Sequence, residues 1–109
     1  MLLAHMLDCL KRISEYTGQD RARFEGSHLV QDAVIRNLQT LAESSQRLSA
    51  DIKATEMQIP WRELSGFRNV IVHDYLGIDL DAVWLVVAQD LPPLFDALNR
   101  MSLRLTPEA

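Results

Sequence analysis

Arg68, His73 and Tyr75 put a permanent cation, a proton carrier and a phenol into one short stretch of a 109-residue chain. The stretch reads Phe67-Arg-Asn-Val-Ile-Val-His-Asp-Tyr-Leu-Gly-Ile78. An arginine presents a planar fork of donors that matches phosphate oxygens. A histidine gives or takes a proton near neutral pH. Together they are enough to grip or cleave a phosphodiester without a metal. Asn69 lies four residues before His73 and shares its helix face, so it can steer the imidazole or meet the same ligand. Arg68 and Tyr75 are seven apart and also align. Arg68 and His73 fall roughly 140° apart around an ideal helix. One copy therefore does not stack them, but two chains facing each other can each bring a set to a shared groove. Spacing alone favours a plainer account: a surface Arg, a His near a helix end and a half-buried Tyr.

The elements that must position this stretch read as helices. Leu3, Met6, Leu7, Leu10 and Ile13 follow the three-four rhythm of a helix face, and Gly18 stands where such a helix stops. A polar connection, residues 19–26, follows. Ser27 can cap a second helix striped by Val30, Val34, Leu38, Leu41, Ser45 and Leu48. Residues 49–59 read as polar and irregular, with room for one short turn. Pro60 suits the first position of a third helix that turns Trp61, Leu64, Phe67 and Ile71 inward. Gly77 ends it, and Asp79 can cap a fourth.

In the fourth helix Leu80, Trp84, Val87, Leu91, Leu94, Leu98, Met101 and Leu105 alternate spacings of four and three, a heptad-like seam. The seam crosses Pro92-Pro93 in phase. Prolines there remove two backbone bonds, so the sequence predicts a helix kinked or broken at that point, with Asp90 able to cap its second half. The expected fold is an all-α bundle of four main helices in one domain, residues 1–109, frayed from 104 onward. Apolar positions flanking the seam (Leu85, Val86, Phe95) point to a two-fold dimer.

Composition narrows the function. The chain is 48% hydrophobic, too much for a disordered segment. Its formal net charge is −4, which argues against a broad electrostatic grip on nucleic acid but not against one focused site. Nine of its eleven basic residues are Arg, suited to forked contacts. Residues 74–99 carry Asp74, Asp79, Asp81, Asp90 and Asp96 and no Lys or Arg, which reads as a solvated face. Cys9 is the sole cysteine, so no internal disulfide forms and a reducing cytoplasm is expected. The N-terminus lacks a basic start, and Asp8 with Lys11-Arg12 interrupts its apolar residues, unlike a signal peptide. No apolar run approaches the ~20 residues of a membrane span.

The segment from Ile59-Pro-Trp-Arg through Phe67-Arg-Asn-Val-Ile-Val-His-Asp-Tyr75 to Trp84 closely resembles the HepT family of HEPN-fold ribonuclease toxins. Gln31-Asp-Ala-Val-Ile-Arg-Asn-Leu38, Glu43 and Asp90-Leu-Pro-Pro-Leu94 are similar to it too, so the resemblance covers most of residues 6–98 in order. One departure is Ala42-Glu-Ser44, where relatives often have Gly-Glu-Ala, away from the motif. The resemblance implies a metal-independent endoribonuclease with no cofactor, acting on RNA and not DNA. It implies that Arg68 holds the scissile phosphate, that His73 moves a proton and that Asn69 orients one or the other. It also implies a partner, the minimal nucleotidyltransferase antitoxin MntA, which silences the toxin by adding AMP units to Tyr75.

Other groups carry less. His5, His28 and His73 lack metal-ligand spacing, so no metal is expected. Trp61 and Trp84 could stack bases but fall on apolar stripes. Glu43 and Asp32 read as solvated helix residues. Two rival readings remain open: a non-catalytic nucleotide- or partner-binding module, which the acidic balance favours, and a plain structural helical dimer.

Overall fold

The first helix, α1, spans Leu2–Thr17 and ends as the sequence requires. Gly18 takes φ +57° and its N–H donates to the Ser14 carbonyl at 2.8 Å. A residue with a side chain is strained in that left-handed conformation, whereas glycine adopts it freely. Gln19 follows at φ 58°, so the chain turns sharply. The computed structural model describes residues 2–65 and 79–105, and the statements below concern these.

The turn leads into a short helix, α2 (Arg21–Glu25), where the sequence suggested only a polar connection. The Asp20 side chain accepts from the Ala22 N–H at 3.0 Å and caps it. Its purpose is to bury one side chain, Phe24, which is fully enclosed. A single large apolar residue in five has no periodicity to detect, which is why the helix escapes pattern reading.

Ser27 caps the long central helix, α3 (His28–Arg47), by accepting from the Val30 N–H at 3.2 Å. Val34, Leu38, Leu41, Ser45 and Leu48 are buried along the expected stripe, with Val30 half-buried at its start. Gln31 locks α2 onto α3: its side-chain amide donates to the carbonyls of Phe24 and Glu25, both at 3.0 Å. Helices α1 and α3 pack more extensively against each other than any other pair of described elements, each through one apolar face. Ser49 then caps α4 (Ala50–Ala54), the one turn anticipated in that irregular stretch.

Helix resumes at residues 61–65. Pro60 precedes that helix as its cap, not its first residue, with its carbonyl accepting from the Leu64 N–H at 2.9 Å. Leu64 is buried and Trp61 half-buried, as expected; Phe67, Ile71 and Gly77 lie outside the described residues. After residue 78, Asp79 caps α5 (Leu80–Leu85), accepting from the Ala82 N–H at 3.1 Å. The backbone then widens into a π-helical turn, Val86–Asp90, and continues directly as α6 (Leu91–Leu105).

That π turn corrects the expected seam. Beyond it Leu91, Leu94, Leu98 and Met101 are buried in phase. Before it, Leu80 and Trp84 are only half-buried and the buried residue is Val83; Val87, inside the turn, is half-buried too. The phase therefore slips by one residue across the turn. Pro92 and Pro93 cannot donate to the carbonyls four residues behind them, and their rings crowd those carbonyls. The Leu91 N–H instead reaches the Val86 carbonyl, five residues back, and the extra residue widens the helix ahead of the prolines. Asp90, expected to cap a second helix, is instead the last residue of the π turn within this unbroken run. Arg104, expected in a frayed tail, lies within α6 with its guanidinium 2.6 Å from Glu56.

Among the described residues there is no strand, and the chain is an all-α bundle. One core joins α1, α2, α3, the turn at 61–65, α5 and α6, with Met6, Ile13, Phe24, Val34, Leu38, Leu41, Leu98 and Met101 at its centre.

Candidate active site

Arg68, Asn69, His73 and Tyr75 lie in residues 66–78, outside the described residues. What the structure defines is the frame that holds the two ends of this segment. On the leading side, Leu64 is buried in the core and the Ser65 carbonyl accepts from the Gln46 side-chain amide at 3.4 Å. The Trp61 indole N–H donates to the carbonyls of Lys53 and Glu56, at 3.2 and 3.1 Å. This end of the segment is thus fixed at the C-terminal end of α3.

The trailing side is fixed elsewhere. Arg21 of α2 pairs with Asp81 in the first turn of α5, and with Glu25 at 2.8 Å. The Trp84 ring lies against Phe24, centroids 5.6 Å apart and planes inclined by 33°. Val83 is buried beside them. Because α2 is held to the start of α3 by Gln31, this end sits at the N-terminal end of α3. At about 1.5 Å per residue a helix of 20 residues is about 30 Å long. The motif segment therefore joins two anchors at opposite ends of α3.

An open groove of about 630 Å³ runs between α1 and the π turn, its floor made by Leu10, Ile13, Trp84, Val87, Leu91 and Phe95, with Lys11, Glu15 and Gln19 on its rim. Trp84 is thus neither a plain core residue nor a fully exposed stacking platform.

Among the described residues, four arginines pair with carboxylates. Arg12 meets Asp8 at 3.4 Å, Arg21 meets Glu25 and Asp81, and Arg100 and Arg104 converge on Glu56. The Glu56 cluster is the feature that sequence reading missed. Its carboxylate is almost wholly buried, and hydrogen bonds from Arg100, then Gln58 and Arg104, hold its pKa down at about 2. Only its neighbours in space distinguish Glu56 from a solvated glutamate, and Arg100 lies 44 residues away along the chain.

The remaining candidates lie elsewhere on the bundle. His5, His28, Asp32 and Glu43 are exposed. Cys9 is buried, and that burial, followed by the nearby Asp8 charge, pushes its thiol pKa up. Among the described residues no three His, Cys, Asp or Glu side chains gather as a metal site, and no helix is long and apolar enough to cross a membrane.

Residues 6–101 match the family described as ribonuclease HepT-like. The chain belongs to the HepT-like ribonuclease family. The resemblance of the Pro60-Trp61, Arg68-x4-His73-x-Tyr75 and Asp90-Leu-Pro-Pro blocks is thereby borne out at the level of the family. A Methanocaldococcus jannaschii protein, named as a gamma-glutamylcyclotransferase and provisional RNase, is 35% identical over 101 residues; the match covers 91% of this chain and 45% of that longer protein. A second protein of that organism, provisionally named an RNase, is 31% identical, with 84% of this HepT-like chain and 85% of the relative covered. The mRNA nuclease HepT of Shewanella oneidensis is 28% identical, with 82% and 84% covered. This chain spans about half the length of the first of these relatives. No solved structure matches it significantly.

Proposed function

We propose that this HepT-like chain is a metal-independent endoribonuclease toxin of a toxin–antitoxin module. The observation that carries this reading is the family match over residues 6–101, which spans the whole Arg68-to-Tyr75 segment. The described frame supports it, because both described flanks of that segment are tied into the core.

In this mechanism the RNA 2′-hydroxyl attacks the adjacent phosphorus and the 5′-oxygen of the next nucleotide leaves, giving a 2′,3′-cyclic phosphate. The forked guanidinium of Arg68 grips the phosphate and stabilises charge developing on its oxygens. His73 takes the hydroxyl proton or gives one to the leaving oxygen. Asn69 orients His73 or the phosphate. A two-fold dimer would bring two sets to one cleft, so that one His acts as base and the other as acid. DNA, lacking the 2′-hydroxyl, is not cut. The partner is an MntA-like nucleotidyltransferase that adds AMP units to the Tyr75 hydroxyl. The added phosphate and nucleotide place charge and bulk two residues from His73, where RNA phosphate must sit.

The net charge of −4 favours a second reading, a nucleotide- or partner-binding module without catalysis. RNA cleavage in EDTA, measured beside His73→Ala of matched circular dichroism, separates the two. Cleavage by the parent alone supports the ribonuclease. No cleavage by either protein, with intact mass showing Tyr75 unmodified, favours the binding module.

A further inference from the structure

Between α4 and the helical turn at 61–65 the chain buries a carboxylate. Glu56 is 2% exposed, and both its oxygens are engaged. Oε1 accepts from Arg100 Nη2 at 2.7 Å and from the Gln58 side-chain amide. Oε2 accepts from Arg104 Nη2 at 2.6 Å and from Arg100 Nε at 3.3 Å. Its backbone is equally committed. The Glu56 carbonyl accepts from the Ile59 N–H at 3.2 Å and from the Trp61 indole N–H at 3.1 Å. Arg104 also donates to the Thr55 carbonyl at 3.5 Å.

A carboxylate is expensive to bury unless it is fully paired, and a surface ion pair would achieve little by itself. Here the pairing has a location. It clamps residues 55–61 to α6, and Trp61 opens the helical turn at 61–65 that precedes the segment bearing Arg68. Arg68 is seven residues beyond Trp61 in sequence. We infer that Glu56, with Arg100 and Arg104, is a positioning residue for the proposed ribonuclease site, setting where the chain runs from Trp61 into the segment that bears Arg68 and His73. The inference rests on the ribonuclease reading for its catalytic consequence.

The test is a graded series: Arg104→Met, Glu56→Gln and Glu56→Ala, assayed at a temperature where circular dichroism shows each folded. Misplacement of about 1 Å can cost ~10²-fold in turnover. The expected result is a stepwise fall in kcat, smallest for Arg104→Met and approaching ~10²-fold for Glu56→Ala, with KM little changed and the apparent pKa values of the pH profile unmoved. Arg104 is 45% exposed, so its variant keeps the fold should Glu56→Ala lose it. A second readout is two-dimensional NMR in a Trp84→Phe background. Arg104→Met and Glu56→Gln should move the Trp61 indole signal together with the amides of Asn69 through Tyr75. Unchanged kcat in folded Arg104→Met and Glu56→Gln would overturn the inference and leave a purely structural clamp, as would unmoved amides in residues 69–75. If the parent cleaves no RNA, the ribonuclease reading fails separately, and the amide shifts alone decide whether Glu56 sets that segment.

Discussion

Phe24 and Trp84 stack 5.6 Å apart, joining the five-residue helix α2 to the first turns of α5 across 60 positions of sequence. Phe24 is fully buried and is the only core residue of α2. Removing its ring leaves a cavity and frees the anchor behind the motif segment. Phe24→Ala is expected to lose about 3–5 kcal/mol of stability, read from urea unfolding. A loss below about 1 kcal/mol would mean that α2 contributes little to the fold.

Val83 and Leu91 are both 6% exposed although eight residues separate them, one more than a heptad. If the π turn exists to clear Pro92 and Pro93, deleting Ala88 should have opposite consequences in two backgrounds. With Pro92→Ala and Pro93→Ala, the deletion gives a continuous α-helix with Val83 in register, and folding should be kept. With both prolines retained, the rings clash with the preceding turn and the deletion should cost roughly 3 kcal/mol or more. Thermal melts of the two variants check this, and equal melting points would refute the role given to the prolines.

Glu56 ionises with a pKa near 2 in the folded protein, against 4.5 for an ordinary glutamate. A depressed folded pKa means that the unfolded chain takes up the proton first. The stabilisation is therefore complete above about pH 4.5 and is lost as pH falls toward 2. Glu56→Gln should be less stable than the parent at pH 7, and the difference should shrink across that window. Chemical denaturation at a series of pH values measures it; a difference independent of pH would show that the carboxylate charge is not what the two arginines require.

At the motif itself, Arg68→Lys keeps the charge but replaces the fork with a point donor. RNA cleavage is expected to fall by about 10²–10³-fold, with the melting temperature unchanged. Tyr75→Phe should retain cleavage and should gain no AMP mass when produced beside an MntA-like transferase. An AMP adduct on Tyr75→Phe would place the modification on another residue.

Local chemistry was enough to determine much of this protein. Gly18, Ser27 and Asp79 mark helix boundaries because each acts on backbone groups within a few residues of itself. The stripe from Val34 to Leu48 is legible because a regular helix has one period. The motif from Arg68 to Tyr75 is legible as residue types at a spacing, and its family follows from the chain as a whole.

Tertiary structure decided what depends on distance in space. Phe24 makes α2 a core element only because Trp84 and Gln31 meet it there. The seam slips at Val86–Asp90 because two prolines downstream change how many residues one turn holds, a strain that hydrophobic spacing does not record. Glu56 is buried because Arg100 and Arg104, a helix turn apart on α6, reach back across the bundle to neutralise it. A charge becomes a core residue only when its partners arrive, and no window of local sequence contains them.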